Sequence, residues 1–92
     1  MKIIEDYNDF QTDLIEIKSA IYIGNFEIRL FFNDGFIRLV DFKTFLESSL
    51  HPSIRKYLDE TRFTQFQIID GNLNWNNYDL IFPVADLYQG RL

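Results

Sequence analysis

The chain has no cysteine, one histidine, two prolines and four glycines in 92 residues. Without cysteine it has no disulfide, no thiolate nucleophile and no cysteine-type zinc site. That usage fits a reducing compartment. The lone His51 stands directly before Pro52, with no serine or cysteine nucleophile motif beside it. It therefore reads as a loop or cap residue rather than a general base. The glycines, at 24, 35, 71 and 90, are scattered and form no phosphate-cradling loop. No apolar run nears the roughly 18 residues of a membrane span. The start, MKIIEDYNDFQTD, is acidic and lacks the apolar stretch of a signal peptide. A cytoplasmic location without a membrane partner is the expectation. No metal or cofactor is expected either. A hard-cation cage needs several converging oxygens, and Asp34, Asp41, Asp70 and Asp79 each have a local reading at a turn, strand end or cap.

What is abundant is aromatic: ten Phe, five Tyr and one Trp. Hydrophobic residues make up 47% and charged residues 25%, the balance of an ordinary folded domain. This length supports one domain over residues 1–92 that buries roughly 65% of the surface of its unfolded chain. The net charge is -5. Nucleic acid demands Lys and Arg to replace counterions, so it is not an expected direct partner. Arg55, Lys56 and Arg62 read as a solvated helix surface. The acids concentrate in residues 1–16, where Glu5, Asp6, Asp9, Asp13 and Glu16 face Lys2 alone. Residues 1–13 form an acidic N-terminal extension. Its Ile3, Tyr7 and Phe10 lie at helical spacing (i, i+4, i+7). An amphipathic helix there either folds back on the domain or docks on a basic partner through Glu5, Asp6, Asp9 and Asp13.

The centre of the chain alternates with period two, the signature of strands. Ile15, Ile17, Ile21 and Ile23 fall on one face of a first strand. Gly24-Asn25 is a turn signal. Phe26, Ile28, Leu30 and Phe32 line a second strand. Asn33-Asp34-Gly35 suits a hairpin loop with Gly35 at positive φ. A third strand, Phe36 to Phe42, has little polar alternation and suits a central position. Thr44-Phe45-Leu46-Glu47 matches a capping box and predicts a helix from about Phe45 to Ser49. Pro52 opens a second helix to about Asp59. Arg62-Phe63-Thr64 reads as an irregular turn. Strands return at Phe66–Asp70, Leu73–Trp75 and Leu80–Phe82, with turns at Gly71-Asn72 and Asn76-Asn77. Pro83 opens a last helical turn that carries Val84, Leu87 and Tyr88 on one face and ends at Gly90. The predicted architecture is α+β: a twisted antiparallel sheet of about five strands, a three-stranded meander plus a C-terminal hairpin, with two or three short helices.

The order of three stretches, FNDGFIRLVDFKTFL, QFQIIDGNLNWNNYDL and DLYQG, resembles the domain-of-unknown-function family numbered 2442, small bacterial domains, over about residues 15–89. The matching positions are Asp34-Gly35, Val40-Asp41, Phe66 to Ile69, Gly71, Trp75, Asn76-Asn77, Asp79-Leu80 and Leu87-Tyr88. Where that family shows Trp-Pro-Asn-Gly-Ala-Asp, this chain has Asn76 after Trp75 and Tyr78 in the glycine's place. The resemblance implies the α+β fold. It also implies a setting in which some members are encoded beside small proteins in what look like toxin–antitoxin pairs.

Two functions stay open on these observations. The first is a small protein–protein interaction module, the antitoxin-like or regulatory half of a two-protein system. The second is a small-ligand binder or enzyme using the segment Trp75–Asp79. The candidate recognition residues are Trp75, Asn76, Asn77, Tyr78 and Asp79. Amides interleaved with two rings can read a ligand or a partner backbone. The same asparagines also serve turns, because Asn tolerates positive φ.

Overall fold

A computed structural model describes residues 15–92. The acidic strip Glu5, Asp6, Asp9 and Asp13 lies outside the described residues. Strands β1 (Ile17–Gly24), β2 (Glu27–Phe32) and β3 (Ile37–Asp41) form one antiparallel meander. Helices α1 (Lys43–Ser48) and α2 (Pro52–Arg55), a 3-10 turn (Lys56–Leu58) and α3 (Glu60–Phe63) follow. Strands β4 (Gln67–Ile69), β5 (Asn72–Trp75) and β6 (Leu80–Ile81) make a second meander, and α4 (Val84–Gln89) closes the chain. The class is α+β as expected, but there are two three-stranded sheets rather than one sheet of about five strands. The sheets touch along β1 and β4, and in the turn after β4 the Gly71 carbonyl accepts from the Ile17 N–H at 2.9 Å. No ladder continues from that bond.

The alternation in β1 misleads. Ile17 is buried, yet Ile21 and Ile23 are 50% and 43% exposed, while Ala20 and Tyr22 pack on the core. The cause is a register shift between Ile17 and Ser19. One extra residue in a strand moves every later side chain to the opposite face. β3 is also not central. β2 is the middle strand, and on the edge strand β3 Ile37 and Leu39 are 52% and 48% exposed.

Two turns sit one residue away from their expected places. The first hairpin turns at Asn25-Phe26, both at positive φ (53° and 64°), as a two-residue primed turn requires. Phe26 is held there by its ring, 5.0 Å from that of Phe63, and by its N–H, which donates to the Tyr22 hydroxyl. The second sheet turns at Asp70-Gly71 rather than Gly71-Asn72. Gly35 does take positive φ (91°) in its loop.

The helical region differs at its caps. Thr44 is inside α1 and caps nothing. Asp41 Oδ1 accepts the Lys43 N–H at 2.9 Å instead, because burial of Phe42 starts the helical backbone earlier. Arg62-Phe63 is not an irregular turn but part of α3, whose N-cap Asp59 accepts from the Thr61 N–H. Pro52 opens α2 as expected. In α4, Leu87 is buried and Val84 and Tyr88 pack beside it. The Tyr88 hydroxyl donates to Asp34 Oδ2, and Arg38 Nε donates to the Tyr88 carbonyl at 2.7 Å. These bonds fasten α4 across the first sheet.

Trp75 is the centre of the core. It is fully buried, and its indole N–H donates to the Phe63 carbonyl at 2.7 Å. Phe42, Tyr57, Phe63, Phe66 and Phe82 surround it with ring centroids 5.4–6.2 Å away. That spacing is the range of tilted and edge-on aromatic packing. The second sheet is thereby joined to the helices and to the first sheet.

Candidate functional site

The segment after Trp75 leaves the core by an unusual route. Asn76, Asn77 and Tyr78 take φ of 50°, 56° and 71°, three successive left-handed residues with no glycine among them. The Asp79 N–H closes the turn onto the Trp75 carbonyl at 2.9 Å. Asn accepts this backbone readily, whereas a bulky residue at positive φ is strained. Tyr78 therefore carries most of the strain. Below the turn lies Asn74, fully buried. Its Oδ1 accepts the Tyr78 N–H, and its Nδ2 donates to the carbonyls of Gln67 and Asn72, all at 3.4–3.5 Å. A buried amide so partnered fixes where the turn begins.

Asp79 ends the turn and anchors it. Its Oδ2 accepts from the Tyr57 hydroxyl at 2.8 Å and meets the Lys56 ammonium at 2.8 Å. The Lys56 ammonium beside it, and then the Tyr57 hydroxyl, hold the Asp79 carboxyl below its ordinary range. Tyr57 is pushed up to about 12, chiefly by burial and then by the hydrogen bond to Asp79. Both groups move away from neutrality, so neither is tuned for acid–base work near pH 7.

Between the turn and the end of α3 is an open cleft of about 520 Å³. Tyr57 and Trp75 contribute to its lining, as do Lys56, Arg62 and the amides of Gln65, Gln67, Asn76 and Asn77. Each amide offers both donors and an acceptor. The Lys56 charge is matched by Asp79. Arg62 Nε lies 3.6 Å from Asp59 Oδ2 with both side chains more than half exposed, a weak pair that leaves the guanidinium free to bind elsewhere.

The candidates singled out in the sequence thus divide. Asn76 and Asn77 line the cleft, Asp79 is the anchor and Tyr78 is exposed beside it. Trp75 belongs to the core and reaches the cleft only as part of its floor. Lys56, Tyr57, Arg62, Gln65 and Gln67 are additions from the structure. The basic spacing of Lys56 and Arg62 was the signal for two of them, but nothing local joins them to Trp75. His51 lies at the α2 N-cap, away from the cleft lining, and its carbonyl accepts from the Ile54 and Arg55 N–H groups. Asp34 and Asp41 are engaged at their own turns. Among the described residues no three His, Asp or Glu side chains converge, and no helix is long and apolar enough to cross a membrane.

The family model described as protein of unknown function, DUF2442, matches residues 17–92, and the chain belongs to that family. No curated protein and no solved structure matches the chain.

Proposed function

We propose that this chain is a protein-recognition module whose cleft takes a short stretch of a partner's backbone. The observation that carries the reading is the left-handed turn Asn76–Tyr78. Tyr78, the bulky residue of the three, bears a strain of roughly 1–3 kcal/mol, and such strain is concentrated at binding sites. Here the turn brings Asn76 and Asn77 to the cleft that Gln65 and Gln67 also line. Four paired donor–acceptor groups match peptide N–H and C=O groups, and Arg62 suits a carboxylate or a carbonyl at one end. The wider proposal is a bacterial, cytoplasmic two-protein system in which this chain is the antitoxin-like or regulatory half. A second reading, a small-ligand site, is favoured by the cleft's volume, which falls in the range of ligand pockets. Its polar lining suits a backbone better than a drug-like apolar molecule.

The test is capture from native lysate by the wild-type chain and by a Gln65→Ala/Asn77→Gly variant. Glycine keeps the positive φ at position 77 while deleting its amide. A protein held by the wild type and lost by the variant supports the proposal. Equal capture by both removes the cleft from recognition.

A further inference from the structure

The outer face of the first sheet is apolar and bare. Ile21, Ile23, Ile37 and Leu39 are about half exposed, and Phe31 is half-buried among them. Pairing aligns these residues in rows: Ser19, Phe31 and Ile37 in one, Ile21, Arg29 and Leu39 in the next. Isolated exposed aliphatics need no explanation, but a contiguous group on one sheet face marks a surface that something covers. The side chain of Arg29, in the middle of this face, makes no hydrogen bond or ion pair with any described residue. The surface therefore calls for an apolar occupant that also brings negative charge.

We infer that residues 1–14 of the same chain cover this face. Three observations select them. The first is position: they lead directly into Ile15, beside the edge strand β1. The second is length. Two-residue steps along a strand span about 6.6 Å, so the face from Ile37 through Leu39 to Ile23 extends about 13 Å. A helix from Ile3 to Phe10 rises about 10 Å. Gln11–Leu14, extended, reach about 13 Å, enough to climb one packed layer of about 10 Å. The third is chemistry. Ile3, Tyr7 and Phe10 give the segment an apolar stripe, and Glu5, Asp6 and Asp9 flank it. Those acids complement Arg29 and the exposed Lys18. Glu27 and Asp41, opposite each other in the β2–β3 register, put negative charge at the far end of the face. The acids of the segment therefore lie at the end nearer Lys18 and Arg29.

The absence of cysteine makes a direct test simple. A spin label is placed on the full chain through Asp9→Cys, a polar position that spares the apolar stripe, and methyl signals are recorded by NMR. With the segment on the sheet, the Ile21, Ile37 and Leu39 methyl signals lose most of their intensity, and that of Ile54, on α2, is unchanged. Adding Arg29→Glu should restore several-fold of the lost intensity. A second sample mixes spin-labelled chains with isotope-labelled chains that lack the spin label. It should show no loss. Loss in the mixed sample as well identifies a second copy as the occupant and overturns the inference. Full intensity at the sheet methyls in both samples overturns it as well.

Discussion

The hydroxyl of Tyr57 and the ammonium of Lys56 meet on one oxygen, Oδ2 of Asp79, each at 2.8 Å. This arrangement ties the 3-10 turn to the end of the left-handed turn, across 22 residues of sequence. It makes the wall of the cleft and its strained lip one unit.

Tyr57→Phe deletes one bond of that unit while keeping the buried ring. A hydrogen bond to a charged acceptor contributes roughly 1.5–3 kcal/mol, and the variant should lose about that much at neutral pH. The high-pH behaviour should change too. The folded-state value of Tyr57 is raised to about 12 from 10.0. Its contribution is full below the unfolded value and is lost as pH rises through the folded one. Absorbance titration of the wild type should show a tyrosine ionising near the upper value, and Tyr57→Phe should lack it.

Asp79 works in the opposite direction. Its folded-state pKa lies below the ordinary 3.8, first because of Lys56 and then because of Tyr57. The stability it contributes is present above the unfolded value and is lost as pH falls through the folded one. Lys56→Met should therefore be less stable than wild type at neutral pH. Denaturation curves of the two proteins should converge as pH falls through the folded-state pKa of Asp79. A gap that stays constant down to acid would show that Lys56 acts by packing alone.

Trp75→Ala empties the middle of the aromatic cluster and should cost on the order of 3–5 kcal/mol. Trp75 is the chain's only tryptophan. Its emission should be blue-shifted in the native state and move red in one transition on unfolding. Calorimetry and fluorescence should give the same midpoint.

Glycine substitutions separate two kinds of constraint. Gly35 has open space where a Cβ would stand, but φ of 91°. Gly35→Val should lose roughly 1–3 kcal/mol through backbone strain alone. At Gly71 a Cβ would also lie 2.8 Å from the Glu16 side chain. Gly71→Ala should be partly rescued by Glu16→Gly, whereas no partner substitution rescues Gly35→Val.

Tyr78→Gly should raise stability by about 1 kcal/mol, because the strain it removes exceeds the added freedom of the unfolded chain. Thermal melting measures this directly. An unchanged or lower midpoint would show that the exposed Tyr78 ring packs well enough to offset its backbone.

Much of this fold is legible in the sequence because its signals are local. Turn residues, Pro52 and Pro83, and the apolar positions of β2 and α4 act through neighbours along the chain. The failures come from longer-range causes. The shift after Ile17 is invisible to alternation, since Ile21 and Ile23 have the same parity as Ile17. β3 looks central because its apolar outer residues are unpartnered among the described residues, not because a strand flanks it on each side. Thr44 and Glu47 have the spacing of a capping box, but burial of Phe42 moves the helix start. At the site, the Asn-rich stretch is visible in the sequence. Gln65, Gln67 and Tyr57 are not, because only the packing of the 3-10 turn, α3 and Phe66 around Trp75 brings them to it.

Recognition through the cleft is tested most directly by backbone hydrogen exchange of the full chain, alone and with a protein captured by it. Exchange should slow at residues 65–67 and 76–79, with little change in α4. Protection elsewhere on the domain, with exchange at both of these segments unaltered, would contradict recognition through the cleft.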